Sequence, residues 1–216
     1  MNSERPDDLE GSNDERTQSG RLTTHKKVIE KNPGEDKEKA PASIEEAQPE
    51  DARSITTLLY KTWMDTYPNE ELGITEEQIE EYFAHRLSEE GIQSMARGIE
   101  RIPPNTKMYV VKVDNEIVGV ARGATYDDNN TLHSLYIDPD HQDKSLGYLL
   151  FSKIQTSLDS SKDTYLGVAT YNQKAIDFYT RQGFVPTGKV KEYKKPPHIP
   201  EMEMVLKADA SQETEE

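Results

Sequence analysis

Hydrophobic positions along the middle of the chain switch between two periods. Ile55, Leu58, Leu59, Thr62 and Trp63 recur at helical spacing, behind Pro49-Glu50-Asp51, whose proline and acids suit a helix start. Thr75 opens a second helix, with Glu76 and Glu77 in its first turn and Ile79, Tyr82, Phe83 and Leu87 following, and Pro103-Pro104 closes that region. Residues 108–113 read as a strand, Asp114-Asn115 as a tight hairpin turn, and 117–121 as the returning strand. Residues 132–137 form another extended run. A helix is predicted over 146–158, with Leu149, Leu150, Ile154 and Leu158 as its inner stripe. A short strand at 165–169 precedes a helix over 173–181, for which Asn172 is a good N-cap and Gly183 stands where a left-handed C-cap is wanted. An extended segment follows Gly183-Phe184-Val185, and 202–206 is the last strand. Strands paired as hairpins and then alternating with helices predict one mixed sheet with helices on both faces, an α+β (α/β) domain.

The flanks lack this patterning. In residues 1–41 the sizeable apolar residues are Met1, Leu9, Leu22, Val28 and Ile29, scattered among charges, Ser, Gly, Asn and Pro. That supply cannot offset an ordering entropy of roughly 1–2 kcal/mol per residue, so the segment reads as a disordered charged tail. Residues 208–216 read as an acidic tail, leaving 42–207 as the folded domain. The 26 Lys+Arg against 41 Asp+Glu, a net charge of −15, exclude general affinity for nucleic-acid phosphates and favour cationic partners. The absence of cysteine excludes disulfides, thiolate metal sites and a cysteine nucleophile. No stretch approaches the roughly 20 apolar residues of a membrane helix, and the start has no apolar leader core. A soluble, cytoplasmic protein without membrane partners is expected.

Two stretches carry chemistry. In Leu135-Tyr-Ile-Asp-Pro-Asp-His-Gln-Asp-Lys-Ser-Leu-Gly-Tyr-Leu-Leu150 a strand ends at Asp138-Pro139, a polar loop follows, and a helix begins near Ser145. Successive N–H groups at such a junction meet the positive end of the helix dipole and suit a pyrophosphate. Gly147, lacking a Cβ, lets a phosphate approach the backbone. The plainer alternative is an ordinary turn in which Gly147 only relieves packing. The second stretch, Leu166 to Phe184, couples a strand to an Asn-initiated helix and a Gly-Phe exit.

Together these stretches resemble the GCN5-related N-acetyltransferase (GNAT) family over about residues 44 to 206. Family members carry Gln/Arg-x-x-Gly-x-Gly/Ala in the phosphate loop and Asn-x-x-Ala-x-x-x-Tyr downstream. Here these read Gln142-Asp-Lys-Ser-Leu-Gly147 and Asn172-Gln-Lys-Ala-Ile-Asp-Phe-Tyr179. The first motif has Ser145 for its first glycine, which restricts φ, and Asp143 places a carboxylate beside the anion that Lys144 partly offsets. The resemblance implies a mostly antiparallel sheet with a splayed cofactor strand, preceded by two helices, and acetyl-CoA as co-substrate without a metal. The backbone of Leu135, Tyr136 and Ile137 would pair with the pantetheine arm. Gln142, Asp143, Lys144, Ser145, Leu146, Gly147 and Tyr148 would cradle the pyrophosphate, Asn172 would contact the cofactor, and Tyr179 would face its sulfur. The implied reaction is acetyl transfer to a primary amine, with polyamines or protein amines as first candidates by similarity of 166–188 to the spermidine/spermine-type branch. The alternative is a degenerate member that binds CoA or a partner without turnover; either a monomer or a homodimer fits.

Individual residues keep two readings. Tyr179 is either a core aromatic or the group that protonates the departing thiolate. His133, four residues before Ile137, titrates near neutrality and can accept the amine proton, or is an ordinary surface or core histidine. Family members sometimes place a glutamate shortly before the asparagine; five positions before Asn172 stands Gly167, so that base is missing. Trp63, Tyr67 and Tyr82 fall where the acceptor wall is expected, with packing the preferred reading for Trp63. Glu70, Glu71, Glu76, Glu77, Glu80 and Glu81 form a solvated face, or a patch that draws a cationic acceptor if one edge borders the cleft. Asp127-Asp128 raise the same possibility.

Overall fold

The structure, a computed structural model, describes residues 42–142, 145–192 and 196–208. Asp143, Lys144 and both predicted tails, apart from Ala208, thus lie outside the described residues. Seven strands form one sheet: β1 (Ser43–Glu46), β2 (Thr106–Val113), β3 (Glu116–Thr125), β4 (Asn130–Ile137), β5 (Thr164–Ala169), β6 (Val185–Glu192) and β7 (Pro200–Leu206). Their order is β1-β2-β3-β4-β5-β7-β6, with every neighbouring pair antiparallel except β4 and β5. The helices are α1 (Ala52–Thr66), α2 (Glu76–Leu87), α3 (Glu89–Glu100), α4 (Leu146–Gln155) and α5 (Gln173–Arg181).

The period-2 pattern of the strands distributes apolar side chains to two cores. On one face Val111, Ala121, Leu132 and Leu166 pack under Leu146, Leu150, Phe151 and Ile154 of α4 and Tyr179 of α5. On the other, Val110 and Val120 meet Ile55 and Leu58 of α1 and Ile92 and Ile99 of α3. A third cluster joins Trp63 of α1 to Ile79 and Phe83 of α2, with Ala169 and Ile199 beneath. The mixed sheet with helices on both faces is therefore present. Asp114 and Asn115 take positive φ of 52° and 66°, as the hairpin turn requires, and Gly183 takes φ 92° after α5.

Two expectations need correction, and one strand carries no sequence signal. The first strand, β1, pairs Ile44 with Val111 at the sheet edge, and its lone sizeable apolar residue gave no alternation to read. Three helices precede β2 where two were expected. Ser88 ends α2 and caps α3 by accepting from Gly91 N–H at 3.2 Å, and a Cβ on Gly91 would overlap the His85 and Arg86 backbone. Only glycine lets the chain turn that sharply there. In α4, Leu149 is 44% exposed; the inner stripe starts one turn earlier, at Leu146, and continues through Leu150, Phe151 and Ile154.

The feature that positions the site is the junction of β4 with β5. These strands pair only at Asn130–Thr164 and Thr131–Tyr165, and beyond Thr131 they part. Buried Asn130 holds the closed end, its amide donating to the Asp159 carbonyl at 2.7 Å and the Lys162 carbonyl at 3.1 Å. Within β4, Arg122 pairs with Ser134 and Gly123 with Leu132, so His133 is the extra residue of a β-bulge at the start of the divergence.

Candidate active site

The divergence opens a cavity of about 690 Å³. Its walls are Leu132 to Ile137 of β4, Gly167 to Ala169 of β5, and the N-terminal turns of α4 and α5. On its other edge β4 pairs with β3 at Leu135–Ala121, Tyr136–Val120 and Ile137–Gly119. Alternate residues of such a strand direct N–H and C=O away from that partner, here into the gap, where an extended amide-bearing chain can take them.

At the α4 end of the gap the first N–H groups of a ten-residue helix lack intrahelical partners and carry the positive dipole end, which suits an anion. Ser145 precedes it at φ 61°, ψ 2°, so the serine adopts the left-handed conformation that a glycine in this place reaches without strain. Gln142 ties the loop back to the strand, its side-chain N–H donating to the Ile137 carbonyl at 3.2 Å. A Cβ on Gly147 would touch Ile137 and Phe178 at 3.7 Å, ordinary van der Waals contact, so the position has room for a Cβ against those two side chains. Tyr148 is 54% exposed beside it. Leu146 instead points into the core at 5% exposure, so any part it plays is through its backbone.

At the α5 end, Asn172 Oδ1 accepts from Ala175 N–H at 3.1 Å. That leaves its side-chain NH2 as the group able to meet a ligand oxygen. Tyr179 is buried two turns on, its ring against Phe178 and Phe184 and its edge in the cleft wall. Burial, and secondarily Tyr136, lifts its hydroxyl well above the ordinary 10, so it stays a proton donor throughout neutral pH. Lys174 and Arg181, which sequence reasoning did not single out, also line this cleft and add positive charge where a phosphate-bearing ligand would lie.

A second cavity of about 360 Å³ lies between the sheet and α1–α3. Trp63, Tyr67 and Tyr82 all line it, with Trp63 stacked on Tyr82 at a centroid distance of 4.8 Å. Arg86, Arg122 and Glu201 are its formally charged side chains, and none of the acids from Glu70 to Glu81 reaches it or the first cavity. Arg86 is tied down, its guanidinium 3.8 Å from the Tyr82 ring centroid and donating to the Tyr82 carbonyl at 2.9 Å. Asp127 and Asp128 reach neither cavity.

The two cavities meet at Tyr67, His133, Ser134 and Tyr136, which line both. Because side chains alternate along β4, Leu135 and Ile137 turn toward α4 and α5 while Tyr136 turns toward α1, its hydroxyl 3.1 Å from that of Tyr67. Tyr171 donates to the Tyr67 carbonyl at 2.8 Å, and its own hydroxyl is pushed up to about 12 by burial. His133 is exposed at the bulge, with Nε2 3.1 Å from the Tyr126 hydroxyl. Desolvation, and then Arg122, hold its imidazole below the usual value, so it is neutral at pH 7. Lys61 of α1 braces the strand end from outside, 2.9 Å from Asp138 and 2.7 Å from Asp140. Among the described residues no group of three or more His, Asp or Glu side chains could hold a metal ion.

A sheet parted at one point, an anion site on a helix N-terminus and a second cavity meeting the gap define a domain that brings an extended donor to a separate acceptor. The chain belongs to the GNAT acetyltransferase family: the family described as "Acetyltransferase (GNAT) domain" matches residues 70–206. Solved structures share the fold. One is the PaiA N-acetyltransferase of Thermoplasma acidophilum in complex with coenzyme A, 20% identical with TM-score 0.58, covering 77% of this chain and 99% of that one. A GNAT acetyltransferase from Streptococcus pneumoniae is 20% identical with TM-score 0.58, covering 78% and 100%. The ribosomal-protein-S18-alanine N-acetyltransferase of Escherichia coli is 16% identical with TM-score 0.54, covering 82% and 99%.

Proposed function

We propose that this domain transfers the acetyl group of acetyl-CoA to a primary amine, of a polyamine or a protein, by direct attack in a ternary complex. The observation that carries the reading is that the gap between β4 and β5 meets the cavity under α1–α3 at Tyr67, His133, Ser134 and Tyr136, which allows a thioester in one to face an amine in the other. The N–H groups at the start of α4 hold the pyrophosphate, helped by Lys174 and Arg181. The edge of β4 at Leu135 to Ile137 that faces the gap aligns the pantetheine arm, and an N–H in the same gap polarises the thioester carbonyl. Asn172 contacts the cofactor from the α5 cap. Tyr179 donates a hydrogen bond to the departing sulfur. With its hydroxyl lifted above 10 and a thiol titrating near about 8.5, complete proton transfer is uphill, so Tyr179 stabilises the thiolate and solvent completes its protonation. His133, exposed at the mouth, passes the amine proton to water. One carboxylate beside two arginines in the acceptor cavity supports an acceptor that presents a single ammonium inward and keeps further positive charge outside.

The test is incubation of the full chain with acetyl-CoA and a panel of amines: a polyamine, a lysine peptide and a peptide with a free α-amine. The expected result is amine-dependent thiol release matched one for one by N-acetyl product. Binding of acetyl-CoA with no amine-dependent release from any acceptor would instead describe a CoA-binding module.

A further inference from the structure

An ammonium must lose a proton before its nitrogen can attack, and the buried tyrosines that line the cavities are poor acceptors. Burial keeps Tyr67 and Tyr179 protonated far above neutral pH. Among the described residues one carboxylate lines the acceptor cavity, that of Glu201 on β7. In β7, Glu201 stands opposite Ala169 of β5, on the sheet face that carries α1 and α2. Its carboxylate reaches over Gly167: a Cβ built there would lie 2.9 Å from Glu201 Oε2. Gly167 itself lines the donor gap, so this carboxylate occupies the boundary between the two cavities, filling the space that a side chain on β5 would otherwise take. Tyr67, at the meeting point, has its hydroxyl held well above 10 by burial and Tyr136 first, and further by Glu201 and Tyr179.

We propose that Glu201 is the general base of the reaction, supplied by β7 into the gap left by Gly167; this rests on the acetyltransferase reading above. The ammonium proton passes to the Glu201 carboxylate, and the freed amine attacks the thioester carbon, forming the C–N bond. The C–S bond then breaks with its electron pair on sulfur. The second N–H proton leaves to solvent through His133, and the thiolate takes a proton from solvent while hydrogen-bonded to Tyr179, so one proton is released per turnover. The charged and titratable groups around Glu201 are Lys191 paired with it on β6, Tyr67 at the end of α1, Tyr82 and Arg86 on α2, Arg122 on β3, and His133 and Tyr136 on β4. Desolvation raises its carboxyl above the ordinary 4.5, with Lys191 opposing, which makes it a stronger base than an exposed glutamate.

The experiment measures kcat/KM for an amine against pH in the parent, Glu201→Gln, Gly167→Ala and His133→Gln, with acetyl-CoA affinity by calorimetry alongside. Glu201→Gln should lower kcat/KM about 100-fold at neutral pH, abolish the acid limb of the profile and leave acetyl-CoA affinity unchanged. Raising the pH toward the amine's own pKa should restore much of its rate, a rescue that a structural role would not produce. Gly167→Ala keeps the carboxylate but pushes its flexible end aside, and should cost roughly 10-fold in kcat. An unaltered profile in Glu201→Gln, or loss of the acid limb in His133→Gln alone, would overturn the assignment. A parent that binds acetyl-CoA but acetylates no amine would overturn the acetyltransferase reading itself, a different result.

Discussion

The gap between β4 and β5 and the cavity beneath α1–α3 meet at four residues yet are made differently. The gap is set by main-chain conformation: parted strands, a left-handed Ser145, the first turns of α4 and α5. The cavity is made of side chains from α1, α2 and α3, from β2, β3, β4 and β7, and from the loops beside them. A surface of main-chain N–H groups recognises a constant partner and depends on backbone conformation, whereas a surface of side chains can be retuned residue by residue. The difference teaches where each substitution should act: changes in the gap should move donor affinity, and changes in the cavity should move the amine.

Gly147→Asp should break this division most visibly. It sets a carboxylate where the pyrophosphate sits, and two unit charges about 4 Å apart near a protein surface differ by up to ~4 kcal/mol in energy. Acetyl-CoA affinity by calorimetry should fall about 100-fold, while an acid in the first turn of α4 and a Cβ that meets only ordinary van der Waals contacts at Gly147 leave folding intact. Tyr179→Phe keeps the ring against Phe178 and Phe184 and removes only the hydroxyl. Steady-state kinetics should show kcat lower by roughly 10-fold with thermal midpoint and acetyl-CoA affinity unchanged.

Glu201→Gln sharpens the comparison in the other direction. A carboxyl whose pKa is raised by folding favours the folded state when protonated, so its charge weighs against stability above that pKa. At pH 7 the glutamine variant should unfold at a slightly higher temperature than the parent, and that gain should shrink as pH falls toward 4.5 and the parent's carboxyl protonates. Calorimetric midpoints at several pH values check it.

The two regions also differ in how far they could be read from the sequence. The gap was legible because main-chain sites leave local marks: Asn172 three residues before the Ala175 it caps, Gly183 at a left-handed position, Gly147 one residue into a helix. The cavity left no such mark. Glu201 alternates with Met202 and Met204 and shares its face with Glu203, which pairs with Lys189 at 3.2 Å, so the pattern reads as a solvent-facing row. Only the neighbouring strand, with glycine at 167, turns the first member of that row into the cleft. The acids of α2 show the converse, conspicuous in sequence and absent from both cavities.

Smaller effects should follow at the supports of the gap. Ser145→Gly removes a left-handed non-glycine residue, a strain of about 1–2 kcal/mol, against a greater unfolded-chain entropy of roughly 0.5–1 kcal/mol. Stability should rise by up to about 1 kcal/mol in denaturant titration, with acetyl-CoA affinity a few-fold tighter. Lys61→Ala removes half-exposed ion pairs to Asp138 and Asp140 and should lower stability by about 0.5 kcal/mol without altering the amine KM.

The most direct measurement is a crystal structure of the full chain with CoA and an acetylatable amine bound together. The account predicts the pyrophosphate on the N–H groups of α4, the sulfur within hydrogen-bond reach of the Tyr179 hydroxyl, and the amine nitrogen beside the Glu201 carboxylate over Gly167. An amine seated away from the cavity shared by Tyr67 and Tyr136, or a CoA sulfur remote from Tyr179, would contradict it.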